Sequence, residues 1–300
     1  MTTETEKPLF RFAHISDLHF SKVTWSPTQF FSKRWIGNCN LLLSRKHNFS
    51  PERLTNLFPL FHELKIDTVL ITGDLSSTSR KEEFTQALEF IEGLKQENFK
   101  VFTLPGNHDH YTKEAYRSKL FYQFFDESYA PSSAYSLKKD KFTLTPLGHN
   151  WWLLALDTAL ATSLLSSSGL FPADLEANLE KALKEIPADQ RILMMNHFPL
   201  FSNDSASKEL VRAEALQKLI EKFPQIKLYL HGHSHRHCIA DLRNSGLPIL
   251  LDSGSTGKKE RATWNLIEIT PKGCSVEVFK NQDNPNEMPW QPVLKTHFQW

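Results

Sequence analysis

Cysteine is scarce in this 300-residue chain, with only Cys39, Cys238 and Cys274. They share no metal-type spacing and are too few for a disulfide framework, which points to a reducing compartment. No apolar run approaches the ~20 residues that a bilayer span requires. The start, MTTETEKPLF, lacks the basic-then-apolar pattern of a secretory leader, so a cytoplasmic location is the expectation. An excess of either charge is missing too: 35 Lys and Arg stand against 34 Asp and Glu. Without a basic stripe, nucleic acid is not an expected partner. Internal repeats, low-complexity tracts and evident linkers are also absent, and a single domain over 1–300 is expected.

Hydrophobic residues make up 40% of the chain, enough for a large buried core. Short apolar runs at Phe10–Ile15, Asp67–Thr72, Lys100–Leu104, Trp151–Leu156, Arg191–Met195 and Ile226–Leu230 read as buried strands. Helical patterns lie between several of them, at Pro51–Leu64, Arg80–Glu97, Pro172–Ile186 and Ser207–Phe223. From Ile239 onward the chain reads as strands without helices: Pro248–Leu251, Ala262–Ile269 and Ser275–Phe279. The expected class is a layered α/β domain whose sheets are partly antiparallel. Ser21–Ser50 and Asn281–Trp300 do not fit the alternation.

In open α/β sheets, ligands sit beyond the carboxyl ends of strands. Reading only those ends isolates most of the chemistry. The first strand is followed by Asp17-Leu18-His19, the second by Gly73-Asp74, the third by Gly106-Asn107-His108-Asp109. Asn196-His197 follows Arg191–Met195, and His231-Gly232-His233-Ser234-His235 surrounds the end of Ile226–Leu230. These are oxygen and nitrogen donors without thiolate, suited to manganese, iron or zinc. One Asp-x-His is a weak signal. Five such pieces at five strand ends are a strong one.

The order Asp-x-His, Gly-Asp, Gly-Asn-His-Asp, Asn-His, Gly-His-x-His resembles the signature of the calcineurin-like metallophosphoesterases. That resemblance implies a four-layer α/β/β/α sandwich and two divalent ions, Mn2+ foremost. It implies that Asp17, His19 and His235 hold the first ion, that Asn107, His197 and His233 hold the second, and that Asp74 bridges them. Hydrolysis would proceed by in-line attack of water activated between the ions. His108 is expected to stabilise the phosphoryl oxygen or protonate the leaving oxygen. Asp109 either orients the His108 ring or is a plain turn carboxylate. His14 and His231 read as core groups, while His110 and His237 flank the motifs within reach of a substrate.

The insertion at about 21–50 bears on the substrate. Phe31, Trp35, Cys39, Leu42 and Leu43 share one side of a helix, and Lys33, Arg34, Arg45 and Lys46 bracket them. Such a segment fits a membrane interface, a lid over an acyl-chain pocket, or an ordinary packed helix. Arg34, Trp35, Arg45 and Lys46 are the candidate substrate- or membrane-facing residues. With this insertion the chain is similar to the calcineurin-like UDP-2,3-diacylglucosamine pyrophosphatases of lipid A synthesis, whose better-known members carry Arg where this chain has His108. That similarity implies cleavage of a nucleotide-linked lipid to 2,3-diacylglucosamine 1-phosphate and UMP, peripheral on the inner membrane. The alternative is a cyclic-nucleotide or other phosphodiesterase, or a protein phosphatase, of the same family; Leu156–Leu183 loosely resembles the cyclic-nucleotide branch. A non-catalytic scaffold fits least, since no ligand of the signature is missing.

Overall fold

The computed structural model describes residues 7–22, 49, 51–125, 133–162, 166–202, 205–282 and 290–300. Arg34, Trp35, Arg45 and Lys46, with most of the insertion, lie outside the described residues.

Among the described residues, two mixed six-stranded sheets form the body. In the first, parallel strands β1 (Phe10–Ile15), β2 (Thr68–Ile71) and β3 (Lys100–Thr103) continue antiparallel through β12 (Thr263–Ile269), β13 (Gly273–Asn281) and β14 (Trp290–Gln299). In the second, β5 (Trp151–Leu156), β7 (Arg191–Met195), β9 (Ile226–His231) and β11 (Ile249–Ser253) run parallel. Its edges are antiparallel, β4 (Phe142–Gly148) on β5 and β10 (His237–Asp241) on β11.

Strand alternation produces the layers. In β7, Leu193 and Met195 face the other sheet together with Phe12 and Leu70, forming the central core. Ile192 and Met194 point the other way, onto the helices Ala173–Lys184 and Ala213–Glu221. In β1 and β2, Ala13, Ile15, Val69 and Ile71 pack under α1 (Leu57–Glu63) and α2 (Lys81–Gln96). Strands buried on both faces read as unbroken apolar runs, which is why they were visible in the sequence. The result is the expected α/β/β/α order.

Two expectations are corrected. The tail after Asn281 does not stand apart from the alternation, because Trp290–Gln299 pairs with β13 as an edge strand. The helix expected from Ser207 starts at Ala213, because β8 (Leu210–Val211) pairs instead with β6 (Gly169–Leu170). No helix among the described residues is long and apolar enough to cross a membrane.

Candidate metal centre

The carboxyl ends of β1, β2 and β3 meet those of β7 and β9, and the turns that leave them are sharp. Asp17, His19, Asp74, His233 and His235 all have φ between 52° and 68°, a region L-residues seldom occupy. Surrounding contacts hold this geometry. Asp17 and His19 donate their amides to Gly73 O and Asp74 O at 3.0 Å each, and the His233 amide donates to Asp17 Oδ2 at 3.0 Å. Backbone strain kept in this way is typical of sites that present side chains for chemistry.

The side chains form a chain of close approaches through Asp74. Asp17 Oδ1 lies 3.0 Å from His235 Nε2, which lies 3.2 Å from His19 Nε2. Asp74 Oδ2 is 3.8 Å from His19 Nε2 and 3.5 Å from His197 Nε2. On the far side, Asn107 Oδ1 lies 3.1 Å from His197 Nε2 and 2.8 Å from His233 Nδ1, with the two ring nitrogens 3.2 Å apart. All seven predicted ligands are therefore brought together. Asp17, His19, Asp74 and His235 present ligand atoms within 4.8 Å of one another.

Such donors fit metal ions. Ligands bound at about 2.1 Å to one ion stand roughly 3–3.4 Å apart, the spacing of the facing imidazole nitrogens here. A cation between them would be bound by their lone pairs. Burial alone would raise the Asp17 and Asp74 carboxyls, but His235 on the one and His197 on the other hold both below the usual carboxylate range. Burial drives His233 down to about 4, which favours the neutral ring a metal needs. His197 moves up to about 9, because Asp74 outweighs its burial.

Residues 10–237 match the profile of the calcineurin-like phosphoesterases. The chain belongs to that family. Its members are metal-dependent phosphoester hydrolases with a dinuclear centre, and this chain is one of those hydrolases. Among its relatives is the 3′,5′-cyclic adenosine monophosphate phosphodiesterase CpdA of Escherichia coli, 25% identical over 219 residues, covering 72% of each chain. A 3′,5′-cyclic-nucleotide phosphodiesterase of Nostoc is 24% identical over 258 residues, 82% of this chain and 86% of its own. The glycerophosphodiester phosphodiesterase GpdQ of Enterobacter lignolyticus is 22% identical over 240 residues, 79% and 75% of the two chains. A dimetal phosphatase from Danio rerio shares the fold at a TM-score of 0.65 and 12% identity, over 98% and 99% of the chains.

In this calcineurin-like phosphoesterase His108 sits beside the predicted ligands, its ring edge-on to His19 at 4.9 Å between centroids and stacked on Tyr111 at 5.4 Å. Its Nδ1 lies 2.7 Å from the Ser77 carbonyl, so Ser77 orients the ring. The orienting role considered for Asp109 is corrected. Its oxygens accept from the amides of Leu75, Ser76 and Gly106 and from Ser76 Oγ, at 2.8–3.1 Å. Asp109 thus ties the Asp74 turn to the Asn107 turn, and it is a turn carboxylate. Burial, then the Asp74 charge, raises it to about 7.

His110 is also corrected. It is fully buried among Tyr116, Phe121 and Tyr122, not exposed toward a substrate. His237 bonds Asn265 Oδ1 at 3.0 Å, and His14 bonds Thr72 Oγ1 at 3.1 Å. Asp252, outside the candidate site residues, accepts from Ser234 Oγ at 2.6 Å and from the Gly254 amide at 2.8 Å. Asp252 thereby braces the turn between His233 and His235. Its position at the end of β11 was the available signal.

Proposed function

We propose that this chain hydrolyses a phosphodiester, with 3′,5′-cyclic nucleotides as the substrate class, at a centre of two divalent ions. Asp17, His19 and His235 would hold the first ion and Asn107, His197 and His233 the second, with Asp74 shared. The observation that supports the centre is the unbroken run of 2.8–3.8 Å approaches from Asp17 to His233 through Asp74. The substrate class is supported by the relatives, which are named as cyclic-nucleotide and glycerophosphodiester phosphodiesterases.

Bound there, two divalent ions would acidify a shared water and neutralise the phosphoryl oxygens. The oxygen and nitrogen donors suit manganese, iron or zinc. The protein's own part is positional. Asp74 receives the His108 amide on Oδ1 at 2.7 Å, which turns Oδ2 toward His19 and His197. With the Nδ1 proton of His108 on the Ser77 carbonyl, Nε2 becomes the atom that passes a proton to the leaving oxygen.

The lipid-linked pyrophosphate reading rests on Arg34, Trp35, Arg45 and Lys46. These fall outside the described residues, and the relatives named above act on diesters, so the diester reading is preferred. The test is release of AMP from cyclic AMP by purified protein loaded with manganese, iron or zinc in turn. No AMP under any of these metals would end the cyclic-nucleotide reading. UMP release from UDP-2,3-diacylglucosamine in the same assay would replace it.

A further inference from the structure

On the side of Asp17 and His235, a lysine outside every motif is held against the site. The turn after β11 is fastened to the turn after β1: Ser255 Oγ donates to Asp17 O at 2.9 Å, the Thr256 amide to Ser16 O at 2.9 Å, and the Gly257 amide to Asp17 O at 3.3 Å. The approach is so close that a Cβ on Gly257 would stand 2.1 Å from Leu18 O. The next residue is Lys258. It forms an antiparallel bridge with Phe49, and residues directly opposite in such a bridge project to the same face. The Phe49 ring points at the centre, 4.7 Å from the His19 ring and 6.1 Å from that of His235. Lys258 therefore projects toward the first-ion ligands.

Among the described residues its charge has no ion-pair partner, and Lys258 is partly buried. The charges that act on it are Asp17, itself directed at His235, and two further cations, Arg261 and Arg236. A half-buried cation kept near other cations costs stability unless an anion joins it.

We propose that Lys258 is a substrate-contact residue, its ammonium meeting the phosphoryl group on the side of Asp17, His19 and His235. The inference rests on the diesterase reading and adds a cationic partner for the charge the reaction creates. Hydrolysis breaks one P–O ester bond and forms one P–O bond from water. One water proton goes to the leaving oxygen and the other to solvent above the monoester's second pKa, about 6. A monoanionic diester thus becomes a dianionic monoester, and a fixed ammonium favours the dianion.

The experiment compares wild type, Lys258→Met and Lys258→Arg, each with manganese content measured. The readouts are AMP affinity by calorimetry and, from kinetics, KM for cyclic AMP with the inhibition constant for AMP. Lys258→Met should weaken AMP about tenfold, more than it raises KM for cyclic AMP, with two ions per chain retained. Lys258→Arg should restore most of the AMP affinity. Equal loss for substrate and product, no loss of AMP affinity, or loss of metal in Lys258→Met would each overturn the proposal. Should wild type leave cyclic AMP intact, the substrate reading falls, while AMP calorimetry still decides the role of Lys258.

Discussion

The backbone amide of His108 donates to Asp74 Oδ1 at 2.7 Å. One bond thus joins the residue proposed to carry a proton to the carboxylate proposed to lie between two ions. It occupies one Asp74 oxygen and leaves the other facing His19 and His197.

Asp74→Asn keeps the shape of that side chain and removes its charge. Two cations held near one another then lose the anion that offsets their repulsion. Diester turnover should fall by more than about a hundredfold, and bound metal should drop below two per chain. Metal analysis alongside a chromogenic diester assay reads both quantities.

His108→Gln should separate chemistry from metal binding. The amide bond to Asp74 survives, so two ions remain, while kcat falls about a hundredfold through loss of the proton carrier. If metal is lost in parallel with activity, His108 acts on the cage and not on the leaving group.

Gly232 marks where backbone must approach the cage. A Cβ there would lie 2.0 Å from Ser16 Oγ and 2.4 Å from Asp17 Oδ2. Gly232→Ala should therefore displace Asp17 and weaken metal affinity at least tenfold while the circular dichroism spectrum stays that of the native fold. Unchanged metal affinity would show that Asp17 has room to move.

His110 carries a pH prediction. It is fully buried and neither ring nitrogen has a hydrogen-bond partner among the described residues; burial lowers it from 6.5 to about 4. Between those values the unfolded chain takes up a proton that the folded chain refuses. The His110 contribution to stability therefore rises with pH across this window and declines as pH falls from 6.5 toward 4. The His110 share is on the order of 3 kcal/mol. His110→Phe, which suits the surrounding Tyr116, Phe121 and Tyr122, should flatten that slope in urea unfolding measured at pH 5 and pH 7.5. His231, also lowered to about 4 by burial, retains its own part of the slope.

What sequence by itself determined was local. Phe10–Ile15, Trp151–Leu156 and Arg191–Met195 were readable because strands covered on both faces are apolar throughout. The seven polar groups at their ends were readable because functional loops follow such strands in α/β sheets. Tertiary structure decided what lies far apart along the chain or depends on direction. Asp17 meets His235, and His108 leans on Ser77 and leaves Asp109 to the backbone amides. Trp290–Gln299 becomes a strand only because β13 offers it an edge. Lys258 has no motif, and its proposed place beside Asp17, His19 and His235 follows from Gly257 touching Leu18 across more than two hundred residues. Periodicity and composition register a residue's neighbours in sequence; distances, hydrogen-bond direction and the balance of buried charge exist only after the two sheets close on each other.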